Sequence, residues 1–270
     1  MSPASADDAN GYHTLRLERI DRVLKVTIDH PDHDLNAVDA SLHADLARLF
    51  AALKREDEAR AILLTGAGSA FSAGGSFDWF PTLDDLESLE HLRRDAKQMI
   101  WDLLDVPLPI VAAINGPAVG LGASLALLCD VVWMAESATI ADPHVRVGIV
   151  AGDGGVAIWP LAVGPARAKE YLLTGDAVPA VEAERIGLVN HVVPDAELQD
   201  SALAFATRLA EGAPLAIQYT KQAINKLVKD AFNVAFDAST ALEIVTLQSE
   251  DHEEALRAIR EKRRPSFRGR

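Results

Sequence analysis

Two short aliphatic runs, Ala61 to Thr65 and Ile110 to Ile114, each open directly into a glycine-bearing turn, at Gly66 and at Asn115-Gly116. Unbroken β-branched and aliphatic residues over so few positions suit strands buried inside a sheet. Val131 to Met134 reads the same way, whereas Leu24, Val26 and Ile28 alternate with Lys25 and Thr27 as a half-buried strand does. Between these runs the period changes. Leu42, Leu46, Leu49, Phe50 and Leu53 fall on one stripe of a helix, and Leu83 to Leu104 predicts a second helix with an acidic front. Strand alternating with helix defines an α/β fold.

Beyond about residue 160 the segments turn helical: Ala166 to Leu173, Val181 to Ile186, Leu198 to Leu209, Pro214 to Val228 and Phe232 to Leu256, with Pro194 and Pro214 at joints. The expected organisation is a disordered Ser/Ala/Asp-rich arm over residues 1–12, an α/β core with the active site over 13–195, and a helical region over 196–270. The arm lacks Lys, Arg and any apolar run, so it resembles neither a signal nor a transit peptide. No apolar stretch reaches the length of a membrane span.

Charge excludes a further class. With 40 acids against 26 bases the net charge is -14, which argues against a broad phosphate-binding surface and hence against nucleic acid as a partner. The exception is the tail from Glu253 to Arg270, where seven bases outnumber three acids. The lone Cys129 excludes an intramolecular disulfide and a thiolate metal cluster, fits a reducing compartment and predicts a cytoplasmic protein without a bound metal.

The glycine-rich turns carry the first chemical signal. Phe71-Ser72-Ala73-Gly74-Gly75 and Gly116-Pro117-Ala118-Val119-Gly120-Leu121-Gly122 allow close backbone approach to a ligand, and two converging N–H groups there would form an oxyanion hole. Neither turn is a nucleotide-binding fingerprint, and the motifs of serine hydrolases and zinc proteases are missing.

In order along the chain, Leu35-Asn36-Ala37, Phe71 to Gly75, Asn115 to Gly122, Cys129-Asp130 and Glu261-Lys262-Arg263-Arg264-Pro265-Ser266-Phe267 resemble the crotonase superfamily, the enoyl-CoA hydratase/isomerase family. The likeness spans about residues 13 to 268. It implies a ClpP-like spiral of ββα repeats, a helical C-terminal trimerisation region, and assembly as a homotrimer or a dimer of trimers. It further implies an oxyanion hole made by the N–H groups of Gly75 and Leu121, with Ala73 and Gly120 beside them. Coenzyme A would enter as part of an acyl-CoA substrate, with Lys262 and Arg263 near its phosphates, and no separate cofactor is implied.

Two departures from that family redirect the chemistry. The positions of its catalytic Glu pair hold Ser124 and His144, and a Ser hydroxyl is too weak a base to take a proton from water near neutral pH. The replacement segment, Pro143-His144 followed by Gly148-Ile149-Val150-Ala151-Gly152-Asp153-Gly154 and Trp159-Pro160, is similar to the 6-oxocamphor hydrolase branch, which cleaves carbon–carbon bonds in cyclic β-diketones. That likeness gives His144 and Asp153 catalytic roles and places His43, Ser124, Trp159 and Glu243 around the substrate. Asp32, His33 and Asp34 stand where relatives carry a cation for CoA, and Ser76 stands where many carry Asp. The leading expectation is an enzyme acting on an acyl-CoA or related carbonyl compound through an enolate. A β-diketone hydrolase and a non-catalytic acyl-CoA scaffold are the alternatives.

Overall fold

The computed structural model describes residues 11–82 and 85–270. Most of the expected arm lies outside these residues. Its last two members are tied down: Arg48 donates to the Gly11 carbonyl at 2.6 Å and stacks over the Tyr12 ring at 5.0 Å.

The first sheet has the strand order β1 (Leu15–Ile20), β2 (Val23–Ile28), β3 (Ala61–Gly66), β4 (Ile110–Ile114), β6 (Val131–Ala135), β9 (His191–Val193). Its first pair is antiparallel and every later pair parallel. β3 and β4 are buried along their whole length, as their unbroken aliphatic runs require. A second sheet joins β5 (Ala118–Val119), β7 (Thr139–Ala141) and β8 (Val178–Pro179). The chain passes from the first sheet at β4 to the second at β5, back at β6 and out again at β7, which winds it into a spiral. Parallel bridges from Val38 to Gly75 and from Ser72 to Ala118 continue the second layer through both glycine-rich turns.

Two asparagines hold those turns. Asn36, at φ 53°, accepts from the His30 N–H and donates to the carbonyls of Ala67 and Ala70. Asn115 accepts from the Gly66 N–H and donates to Gly68 O. Short polar side chains tolerate left-handed backbone and satisfy buried loop groups in this way.

Helix α1 (Ala40–Leu53) is capped by Asp39, whose carboxylate accepts from the N–H groups of Ser41 and Leu42. The second expected helix, α2, runs from Leu86 to Asp105. After α3 (Leu121–Leu127) comes α4 (Gly155–Thr174), interrupted by Gly164 at φ 79° ahead of Pro165, and then α5 (Ala180–Arg185). Helix α6 (Leu198–Glu211) packs on β3 and β4, so the C-terminal region also covers the first sheet.

One expected boundary is displaced. Residues 214–228 and 232–256 are not separate helices divided near residue 230; α7 runs unbroken from Pro214 to Leu247, and the break falls at Gln248-Ser249, where Ser249 caps α8 (Glu250–Arg260). Lys229, Asp230 and Ala231 contain no helix breaker, whereas a Ser side chain competes for backbone N–H groups and starts a new helix. Phe232 and Phe236, both fully buried, anchor α7 against Trp101 of α2. Strand content beyond residue 160 is limited to β8 and β9. No described helix is long and apolar enough to cross a membrane.

Candidate active site

Each sheet ends in a loop that contributes to one place. The bridge at Val38 uses the Gly74 carbonyl and the Ser76 N–H, at 2.8 Å each, which turns the N–H of Gly75 away from the ladder. Leu121, the first residue of α3, likewise spends its N–H on no backbone acceptor among the described residues. Both residues line a cavity of ≈ 90 Å³ together with His144, Asp153 and Glu243. The remaining wall is largely apolar and aromatic, with Trp79, Phe80, Leu92 and Ile244, and includes Arg93.

His144 opens the short 3₁₀ turn His144–Val147 that follows Pro143. Its Nδ1 donates to Asp142, the residue after β7. Its Nε2 lies 3.4 Å from Asp153 Oδ2 and 4.0 Å from Glu243 Oε1. Ser124 donates to the other Asp153 oxygen at 3.0 Å. Thus the Ser124 hydroxyl of α3 supports a carboxylate brought from another loop. Glycines make the approach possible. A Cβ on Gly120, at φ 53°, would crowd His144 Cε1 at 3.3 Å, and one on Gly152 would lie 2.2 Å from Glu243 Oε2.

This concentration of ionisable groups shifts their protonation. Burial alone would push the His144 imidazolium down, but the carboxylates of Asp142, Asp153 and Glu243 prevail and raise its pKa to about 10. Burial pushes Glu243 up to about 8 and also raises Asp153, against the pull of the imidazolium. The site at neutral pH therefore holds a cationic His144 beside a protonated Glu243. The folded chain retains the His144 proton between 6.5 and about 10, and the Glu243 proton between 4.5 and about 8, where the unfolded chain releases them. Both contributions reduce stability as pH rises through these windows. We expect chemical denaturation at alkaline pH to show a steeper loss of stability for the native sequence than for His144→Gln.

His43 sits on the buried face of α1 and lines the same cavity. Burial lowers its pKa, and its Nε2 is buried without a hydrogen-bond partner among the described residues, so a neutral imidazole presents an unsatisfied nitrogen. Ala73 and Gly120 line an adjoining recess of ≈ 80 Å³ that shares Gly75, Phe80 and His144 with the first. Trp159 departs from its expected place beside the substrate: it is fully buried in the core and borders neither cavity, because α4 turns it inward against Tyr171. Lys262 and Arg263 follow the end of α8. Arg263 is committed to Glu254, at 2.5 and 2.9 Å, and to Glu261 at 2.5 Å, which occupies the guanidinium expected at a CoA phosphate. Lys262 makes no ion pair among the described residues. Asp142, Trp79 and Phe80 were not singled out by the sequence; the Asp-x-His spacing of Asp142 and His144 was the only signal for any of them.

Two groups bring three possible metal donors within 4.8 Å: Asp142, His144 and Asp153, and His30, His33 and Asp39. In both, donor atoms are engaged with one another: His144 Nδ1 with Asp142, and His30 Nε2 with Asp39, its Nδ1 accepting the Asp32 N–H.

A spiral α/β fold with two free N–H groups beside an acid/base cluster defines the crotonase class of enzymes. A sequence profile for enoyl-CoA hydratase/isomerase matches residues 18–270, and the chain belongs to that family. It is 36% identical over 261 residues to a probable enoyl-CoA hydratase of Rhodobacter capsulatus, covering 96% of this chain and 99% of that one. An enoyl-CoA hydratase/isomerase structure from Mycobacterium paratuberculosis superposes with a TM-score of 0.86 at 38% identity, over 91% of this chain and 98% of the other. A β-diketone hydrolase from the cyanobacterium Anabaena, bound to (S)-3-oxocyclohexyl acetic acid, superposes with a TM-score of 0.82 at 28% identity, over 87% and 94% of the two chains.

Proposed function

We propose that this enzyme hydrolyses a carbon–carbon bond of a β-dicarbonyl compound. The observation that carries this reading is the presence of two separate devices for stabilising a negative oxygen in one cavity: the N–H groups of Gly75 and Leu121, and the His144 imidazolium. An enoyl thioester undergoing hydration develops one enolate oxygen. A β-dicarbonyl develops negative charge on both oxygens, first as a tetrahedral alkoxide on the attacked carbonyl and then as an enolate on the departing one.

Asp153 takes a proton from water, and the water oxygen bonds to one carbonyl carbon. The bond from that carbon to the methylene breaks, its electron pair forms the enolate held by Gly75 and Leu121, and the proton returns to the enolate carbon. The products are a carboxylic acid and a ketone, joined in one molecule when the substrate is cyclic. The raised pKa of Asp153 moves its basicity toward neutral pH, as general-base work requires. His43, neutral and unpaired, supplies a further contact for a substrate oxygen. No resident cofactor enters the reaction.

The second reading, chemistry on an acyl-CoA, is favoured by the relatives' names and by the N–H pair. Against it, Arg263 is already ion-paired and Asp32 and Asp34 stand in the other expected cationic position. A parallel assay decides between them. Cyclic 1,3-diketones are expected to be opened to keto acids, with little hydration of crotonyl-CoA; crotonyl-CoA turnover at hydratase-like rates without diketone cleavage would refute the proposal. Assembly as trimers or paired trimers remains part of the same proposed reading, resting on family membership.

A further inference from the structure

We propose that Asp142, which borders neither cavity, is the positioning residue of the site: it fixes which nitrogen His144 presents to the reaction and keeps that imidazole in its acidic form. The inference rests on His144 acting as proposed above.

The carboxylate has no other evident work. Asp142 is 1% exposed, and one oxygen receives the His144 Nδ1 proton while the other, Oδ2, is buried with no hydrogen-bond partner among the described residues. Ordinarily so costly an oxygen is removed or paired. Here its placement requires a glycine at the start of α4, because a Cβ on Gly155 would lie 1.9 Å from it. The Gly155 N–H goes instead to Asp153. Two neighbouring carboxylates at the same helix start are thus divided, one receiving the backbone proton and the other reserved for the imidazole.

Geometry restricts the ring from every side. Pro143 turns the backbone between Asp142 and His144, so the acid reaches a ring only two residues ahead. Gly120 leaves room at Cε1. With Nδ1–H held by Asp142, only Nε2 points toward Asp153, Glu243 and the cavity. The titratable groups facing the ring are Asp142 after β7, Asp153 ahead of α4 and Glu243 on α7; α3 meets it through the Gly120 backbone. An acid that holds the far nitrogen of a catalytic imidazole sets its tautomer and stabilises its cation, a role distinct from contacting substrate.

The test compares Asp142→Asn with the native full-length chain, both carrying ¹⁵N-labelled histidine, with His144 assigned by its loss in His144→Gln. The native ring is expected to stay doubly protonated past neutral pH, and its neutral form to keep the proton on Nδ1. In Asp142→Asn the midpoint should move down by at least about one pH unit, with kcat on a cleaved diketone falling on the order of 10²-fold and KM little changed. Asp142→Glu should restore part of both. An unchanged His144 titration in a folded Asp142→Asn variant would overturn the inference, even if the variant were less stable. Should that variant not fold, the native spectrum decides: a neutral His144 carrying its proton on Nε2 overturns it. The ring signals require no substrate, so failure here is distinguishable from failure of the diketone reading, which would remove turnover and leave the titration as described.

Discussion

Asp153→Asn should reduce kcat on a cleavable β-dicarbonyl by roughly 10²- to 10⁴-fold, the span associated with a positioned general base, while KM changes little. The amide keeps an oxygen for the Ser124 hydroxyl, which now donates to Asp153 at 3.0 Å, so the loop retains its anchor. It replaces the oxygen facing His144 Nε2 with either a donor or a weaker acceptor, and it removes the acceptor for the proton of water. A circular-dichroism melt that overlays the native curve, together with steady-state kinetics, checks the result. Native-like turnover in this variant would remove Asp153 from the reaction and leave Glu243, raised to about 8, as the group to examine.

Gly116→Ala is expected to have the largest effect on stability. A Cβ there would lie 2.0 Å from the Ser69 carbonyl oxygen and 2.8 Å from its carbon, both backbone atoms next to the Ala70 carbonyl that the Asn36 and Asn115 side chains hold. A flexible side chain could swing aside; this backbone cannot without moving the loop that leads to Gly75. Overpacking of this kind costs about 1–3 kcal/mol or more, which at about 2 °C per kcal/mol for a chain of this size lowers Tm by roughly 2–6 °C. Thermal denaturation measures it directly. Because the clash displaces the Gly75 loop, kcat should fall together with stability, whereas Gly187→Ala, which meets nothing within 4 Å, should lower Tm only through strain at its positive φ.

These expectations differ in how far they can be read along the chain. The aliphatic runs of β3 and β4, the stripe of α1 and the glycine turns were legible because each depends on a local period or a local backbone requirement. His144 and Asp153 were legible through their spacing after Pro143 and within the Gly152-Asp153-Gly154 turn. Trp159 was misplaced because an aromatic next to a proline looks alike on a cavity wall and in a core, and only the rotation of α4 separates the two. Glu243 depended on the continuity of α7. Its place at the site follows from the buried Phe232 and Phe236, which lie on the helix face that Glu243 extends.

The tail shows the same division. Its excess of bases suggested a phosphate contact, yet Glu254 and Glu261 are close enough in the fold to hold Arg263. Charge counts describe supply, and neighbours decide use.

By itself the sequence determined the α/β order of elements and the two turns able to expose N–H groups. Each is a property of consecutive residues and their backbone preferences. Tertiary structure decided that Asp142, Asp153 and Glu243 would surround one imidazole, and that their carboxylates would hold it as a cation against the cost of burial. Those outcomes follow from packing elements up to about a hundred residues apart and from the removal of water between their charges, which no local pattern specifies.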